Sequence, residues 1–177
     1  MQALALKNKV EALGGHLIAV SKKFKAELIE QAATLGIKDF GENYVDEALE
    51  KITFFSSQKT PINWHFIGKV QSNNINKMID KFEVIHSLFK FKHIKKFNEK
   101  SKFKQKILLQ VRHESDSREN GVYLKDLKAL ITEVNSLSMI NLKGLMFMPP
   151  EEFTDEELKK SFKQIKEAFD LQSCKNE

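Results

Sequence analysis

Two adjacent lysines, Lys22 and Lys23, end an apolar run of strand character, and they are the first residues of the chain that could do chemistry. The run His16–Val20 follows Gly14-Gly15 and leads into a helical pattern, which predicts a buried strand joined to a helix by a short loop. A lysine at the end of a buried strand is partly desolvated, which leaves more free amine to attack an aldehyde. Spacing alone leaves Lys22 open to two interpretations, a carbonyl-binding amine or a plain solvated lysine.

Two further candidates, Asn43 and His65, accompany other predicted strands. Asn43 stands in Gly41-Glu42-Asn43-Tyr44 at a strand-to-helix junction, where helix N-terminal amides can hold an anion and where an ordinary turn and N-cap is the alternative. His65 stands in Trp64-His65-Phe66-Ile67-Gly68, where a core histidine with satisfied nitrogens is the alternative to a ligand-binding one. The five histidines show no metal-ligand spacing, and no nucleophile arrangement is visible, so we predict no metal site and no catalytic residue.

Six strand–helix units in strict alternation position these residues. The predicted strands cover residues 16–20, 37–43, 62–68, 84–88, 106–111 and 142–148, and the predicted helices cover 1–13, 28–35, 44–55, 75–82, 91–100, 124–134 and 155–171. Strict alternation implies a parallel sheet, because each return to a parallel neighbour needs a crossover helix. A doubly wound sheet and a barrel both fit. The barrel is favoured because polar residues fall at or near the carboxyl ends of the strands, where a barrel forms one rim around one pocket: Lys22, Asn43, His65, His86 and Arg112.

The bulk properties limit the remaining possibilities. The length of 177 residues fits one domain, and the single cysteine, Cys174, indicates a reducing cytoplasm. No apolar run reaches the roughly 18 residues that a membrane span needs. The net charge of +5 is concentrated between Lys90 and Lys106, where eight lysines stand against Glu99 and are interleaved with phenylalanines. An amphipathic helix with solvated lysines is favoured there over a patch for nucleic acid or another polyanion.

Five motifs in fixed order carry a resemblance to a known family. They are Ala19-Val20-Ser21-Lys22, Phe40-Gly41-Glu42-Asn43-Tyr44-Val45, Trp64-His65-Phe66-Ile67-Gly68, Gln71-Ser72-Asn73 and Gly144-Leu145-Met146. In this order and spacing they closely resemble the pyridoxal phosphate homeostasis protein family. The resemblance covers roughly residues 17–148, and the run of five motifs is far more specific than any one of them.

The resemblance implies an α/β fold, a (β/α)8 TIM-type barrel like the N-terminal domain of alanine racemase, formed as a single domain over residues 1–177. It implies that pyridoxal 5′-phosphate is held as an aldimine on Lys22, with Asn43 and His65 as neighbours on the same rim. The implied role is intracellular homeostasis of this vitamin B6 cofactor without catalysis, by a monomer that could pass the cofactor to dependent apoenzymes. An enzyme of the same fold type, a racemase or decarboxylase, is the alternative.

The resemblance also leads us to expect two more strands than the sequence contains. Family members continue into a Ser-Met-Gly-Met-Ser strand and a Val-Arg-Ile-Gly strand, whose loops hold the phosphate, whereas this sequence ends in the polar stretch 171–177. About six of the eight strand–helix units are therefore expected. A truncated product with impaired cofactor binding is a further alternative.

Overall fold

The computed structural model describes residues 2–58 and 60–173, and Cys174, on which the prediction of a reducing compartment depends, lies outside them. The strands are β1 (Ala19–Val20), β2 (Asp39–Glu42), β3 (Asn63–Phe66), β4 (Val84–Leu88), β5 (Gln105–Val111) and β6 (Ile140–Phe147). The helices are α1 (Gln2–Ala12), α2 (Ala26–Thr34), α3 (Val45–Ser57), α4 (Ile75–Met78), α5 (Phe91–Lys100), α6 (Leu124–Asn135) and α7 (Asp155–Ser173).

All six strands form one parallel sheet in the order β1-β2-β3-β4-β5-β6. Each strand pairs with the next one along the chain, without the reversal of strand order that defines a doubly wound sheet. This order is that of a TIM-type barrel wall, so the predicted fold is confirmed and the doubly wound alternative is wrong. Because the strands are parallel, their carboxyl ends lie along one edge.

The hydrophobic core lies between the sheet and its helices. Alternate strand residues such as Phe40, Trp64 and Ile107 are buried there against helix residues such as Ile94 and Ile131. The lysine-rich helix α5 buries His93, Ile94 and Phe97 and exposes its lysines, as the amphipathic interpretation predicts.

Several elements are shorter than predicted, and β1 and α4 differ most in their consequences. The run from residue 16 forms a strand only at Ala19–Val20, and Val20 is 47% exposed, so the prediction of a fully buried strand is wrong. Among the described residues β1 pairs with β2 alone, which leaves its other side without a strand neighbour. Helix α4 ends at Met78 instead of residue 82 because Ile79 leaves the helical conformation with ψ of 125° and Asp80 then adopts a left-handed one with φ of 57°.

Candidate functional site

The predicted lysine and asparagine lie at the ends of neighbouring strands. Val20 pairs with Gly41 in the sheet, and the amide of Ser21 donates to the Gly41 carbonyl over 3.0 Å. Lys22 follows on the turn after β1, and Asn43 follows β2 directly. The structure therefore brings Lys22 and Asn43 to adjacent positions on the carboxyl edge of the sheet.

A buried ion pair fixes the residue before Lys22. The Nζ of Lys51 on α3 lies 2.7 Å from Glu42 Oε1 and donates to the Ser21 carbonyl over 2.7 Å. The Ser21 hydroxyl donates to the same Glu42 oxygen over 2.6 Å. The Glu42 side chain is fully buried and that of Lys51 is 9% exposed, so water does not compete for these contacts. The carboxyl end of β1 is thus tied to both β2 and α3.

The residue after Lys22 is held by a second acid. The Lys23 amide donates to Glu47 Oε1 over 2.5 Å, and Lys51 donates to the same oxygen over 2.7 Å. Desolvation by burial acts to raise the pKa of Glu47, but the hydrogen bonds from Lys51 and the Lys23 amide outweigh it and hold this pKa below its ordinary value. Lys22 itself is exposed. Its amine is therefore carried on a short turn that is anchored on both sides.

Lys23 differs from Lys22 in its backbone conformation and its surroundings. It has a left-handed backbone with φ of 64°, and it lines a groove between α2 and α3 together with Glu47 and Lys51. Lys22 lies on the turn after β1, is exposed, and is not among the residues that line this groove. The groove thus distinguishes the two lysines, which sequence alone could not separate.

Asn43 carries a buried polar atom without a partner. Among the described residues, its Oδ1 is buried and accepts no hydrogen bond. The N-cap of α3 is Tyr44, whose side chain makes no capping bond, so the ordinary N-cap interpretation of Asn43 is wrong. Asn43 and Gly68 line a cavity of about 320 Å³, and a Cβ on Gly68 would lie 2.1 Å from the Asn43 carbonyl oxygen. Only glycine permits this approach of the two strand ends.

His65 belongs to a separate hydrogen-bonded series of polar side chains, which runs from His86 through Asp39 to His16. Its Nε2 lies 3.1 Å from Asp39 Oδ1 and its Nδ1 lies 2.9 Å from His86 Nε2, while the other oxygen of Asp39 lies 2.9 Å from His16. Because a carboxylate only accepts, His65 donates through Nε2, and in the neutral ring Nδ1 accepts from His86. The satisfied core histidine that we considered as an alternative describes these contacts.

Burial and hydrogen bonds shift the pKa values of two of these side chains, His86 and Asp39. Desolvation, together with the nearby His65, lowers the pKa of His86 to about 4. Desolvation raises the pKa of Asp39, but hydrogen bonds from His65 and Asn63 and the charge of His16 outweigh it and leave this pKa below its ordinary value. The orientation of the His65 ring follows from its bond to Asp39. Asp39 begins β2 and lies two residues before Gly41, the residue that pairs with His65. The ring therefore points toward the start of β2 and away from the carboxyl edge that carries Lys22 and Asn43.

Sequence reasoning did not identify Ser21, Glu42 and Lys51 as parts of the site. The position of Lys51 in the sequence could have indicated the network, because Lys51 falls at helical spacing on the buried face of α3 with Val45, Ala48 and Phe55. A charge on a buried stripe requires a partner.

Two kinds of feature are not found in the described part of the chain. Residues 2–58 and 60–173 contain no group of three or more acidic, histidine or cysteine side chains arranged to hold a metal ion. Over the same residues, no helix combines the length and the apolar character that crossing a membrane requires.

Comparison of the sequence with known proteins gives a consistent result. The family model for the alanine racemase N-terminal domain matches residues 2–175. A pyridoxal phosphate homeostasis protein of Buchnera aphidicola is 34% identical over 77% of this chain and 60% of its own length. A protein of the same name from Pasteurella multocida is 32% identical over 86% of this chain and 70% of its own length. The chain spans less than two thirds of the length of the first of these relatives, the Buchnera aphidicola protein.

Solved structures show the same fold. PipY from Synechococcus elongatus with pyridoxal phosphate bound has a TM-score of 0.83 and 29% identity, covering 90% of this chain and 75% of that one. Alanine racemase from Corynebacterium glutamicum has a TM-score of 0.74 at 15% identity, over 99% of this chain and 51% of that one. This second likeness is one of fold alone.

Proposed function

The chain belongs to the alanine racemase N-terminal domain family and, within it, to the pyridoxal phosphate homeostasis proteins; from this membership we propose that it binds pyridoxal 5′-phosphate through Lys22 and takes part in intracellular homeostasis of this cofactor. The observation that carries the proposal is the anchored turn. Lys22 presents an exposed amine between two residues that Lys51, Glu42 and Glu47 hold in place.

The residues at this edge fit such a group. The cofactor supplies an aldehyde that condenses reversibly with a primary amine, and Lys22 is an exposed amine at the carboxyl edge of the sheet. The Oδ1 of Asn43, which has no partner among the described residues, is an acceptor at the neighbouring strand end that suits a hydroxyl or a protonated nitrogen of a ligand. Preorganisation of the turn lowers the ordering cost of binding.

His65 has a more limited role in the proposal. Both of its ring nitrogens already have partners, so it offers a ring surface to a neighbouring ligand and no free hydrogen-bonding nitrogen. We keep His65 as a neighbour of the cofactor that is set back from the edge carrying Lys22 and Asn43 and makes no hydrogen bond to the ligand.

The state of the nearby acids supports binding without catalysis. A racemase or decarboxylase needs an acid or base free to move a proton close to the reacting carbon. Glu42 and Glu47, the acids that border the Lys22 turn, both bind Lys51. The proposal is therefore a single-domain, monomeric, cytoplasmic carrier that holds the cofactor and passes it to apoenzymes that depend on it.

The experiment is a titration of the purified chain with pyridoxal phosphate, followed by the absorbance band that forms when the aldehyde condenses with an amine. Lys22→Ala should abolish saturable formation of the band, whereas the matched control Lys23→Ala should retain it. An unchanged titration in Lys22→Ala would refute the assignment. Racemisation of amino acids by the loaded wild-type protein would refute the non-catalytic role and favour the enzyme alternative.

A further inference from the structure

A second cavity lies at the carboxyl end of β5, away from β1 along the sheet. It has a volume of about 670 Å³ and is formed by the loop after β5, the start of α6 and the first turns of α7. Three strands separate β5 from β1 in the sheet, and the cavity is lined by no residue of the turn that carries Lys22. Its volume is within the range of roughly 300–1,000 Å³ that small-molecule sites occupy.

The wall of this cavity contains two notable polar residues, Ser161 and Arg112. Ser161 on α7 is only 6% exposed and lines the cavity. The Nε of Arg112 is buried and finds no acceptor among residues 2–58 and 60–173. Buried donors are almost always satisfied in folded proteins, so the Arg112 Nε at this cavity indicates an acceptor supplied from outside.

The Arg112 guanidinium is held in position by contacts on its other atoms. Its Nη1 donates to the Arg118 carbonyl over 3.0 Å, and the guanidinium carbon lies 4.1 Å from the centre of the Tyr123 ring. An arginine fixed in this way presents its remaining donors in one direction, which suits a planar carboxylate.

The charges around the cavity are balanced. Arg112 and Lys160 supply two positive groups, and Glu114 and Glu157 supply two negative ones. Hydrogen bonds from the backbone and the hydroxyl of Thr154 hold the pKa of Glu157 below its ordinary value, so this residue is a carboxylate at neutral pH. A lining with both signs of charge matches a ligand that carries both.

The cavity also has an apolar wall. Phe153 and Leu124 line it, and the Phe153 ring is fixed edge-on against His113 with their centres 4.8 Å apart. A ligand with an apolar side chain would remove this surface from water, which favours binding.

We propose that the cavity between β5, α6 and α7 binds a free α-amino acid with an apolar side chain. The ligand carboxylate is bound by Arg112, Ser161 and Lys160, and its ammonium group faces Glu114 and Glu157. The site does not depend on the function proposed above, because it shares no residue with the Lys22 turn.

The test is isothermal titration calorimetry of the full chain without pyridoxal phosphate, which would otherwise condense with the amino acid. L-phenylalanine and L-leucine are compared with N-acetyl-L-phenylalanine, which lacks the ammonium group, with L-phenylalaninamide, which lacks the carboxylate, and with inorganic phosphate. The variants are Lys160→Gln and Ser161→Ala, and the matched control is Lys159→Gln, an exposed lysine of the same helix that does not line the cavity.

Saturable binding of the two free amino acids is expected, with at least a tenfold loss, the size of one charge-assisted hydrogen bond, for either blocked analogue and in Lys160→Gln. Ser161→Ala should weaken binding, and Lys159→Gln should not. Equal affinity for N-acetyl-L-phenylalanine, preferential binding of phosphate, unchanged affinity in Lys160→Gln, or no binding of any probe would each overturn the proposal. Lys22→Ala should bind the amino acids as the wild type does, which separates this result from the cofactor assignment.

Discussion

Replacing Lys51 by methionine removes the cation at the centre of the network that holds the Lys22 turn. Its Nζ contacts Glu42, Glu47 and the Ser21 carbonyl, each over 2.7 Å. Methionine has a similar length but no charge, so the fully buried Glu42 carboxylate would keep the Ser21 hydroxyl as its hydrogen-bond donor. The other Glu42 oxygen is already without a partner in the described part of the chain.

The expected loss of unfolding free energy in Lys51→Met is about 3–5 kcal/mol, the usual cost of leaving one member of a buried pair uncompensated. The control is Lys77→Met. Lys77 pairs with Asp46 at the same 2.7 Å distance, but the two side chains are 51% and 74% exposed. Such surface pairs contribute roughly 0–1 kcal/mol, so the two variants differ mainly in burial.

Urea unfolding followed by circular dichroism measures both losses, and the double variant Glu42→Gln, Lys51→Met tests the reason for them. Because the double variant leaves no buried charge at Glu42, it should recover part of the stability lost in Lys51→Met. A loss below about 1 kcal/mol in Lys51→Met, or no recovery in the double variant, would refute the reasoning from an uncompensated charge. Pyridoxal phosphate binding should weaken in Lys51→Met under conditions where the protein remains folded, because the flanks of Lys22 lose their anchor.

Three other variants test separate parts of the structure. Gly68→Ala should lower both thermal stability and cofactor binding, because the added Cβ would lie 2.1 Å from the Asn43 carbonyl oxygen; unchanged melting would contradict that packing. Asn43→Ala removes an atom that has no partner among the described residues, so its unfolding free energy should change by less than about 1 kcal/mol while cofactor binding weakens; the reverse pattern in urea unfolding and cofactor titration would make Asn43 structural. Folding lowers the pKa of His86 from 6.5 to about 4, so the unfolded chain binds the proton first and stability should fall as pH drops from 6.5 to 4. His86→Gln should make urea unfolding less dependent on pH in that window, and an unchanged pH profile would count against the buried neutral ring.

The order of the elements was predictable because it depends on local patterns. The alternation of apolar strands with helical stretches leads to six parallel strands, and the glycine after α1 adopts the left-handed conformation, with φ of 75°, that ends a helix. The length of β1 was not predictable, since an apolar run does not show how many strand neighbours it has. The end of α4 at Met78 depends on the backbone conformations of Ile79 and Asp80, which no residue pattern there indicates.

The candidate site was predictable only in part. The five motifs drew attention to Lys22 and Asn43, which do lie at adjacent strand ends. They did not show that Lys51 from α3 holds the turn, because that contact joins three elements through side chains far apart in sequence. For the same reason the sequence could not place His65 beside Asp39 and His86, away from Lys22.

The most direct test of the account identifies the lysine that bonds to the cofactor. The full chain is mixed with pyridoxal phosphate, reduced with borohydride to make the bond permanent, digested, and analysed by mass spectrometry. The account predicts that the added phosphopyridoxyl mass appears on Lys22 at substoichiometric cofactor, and that Lys22→Ala leaves no preferred site. Labelling first at Lys23, or even labelling across the exposed lysines of the wild-type chain, would contradict it.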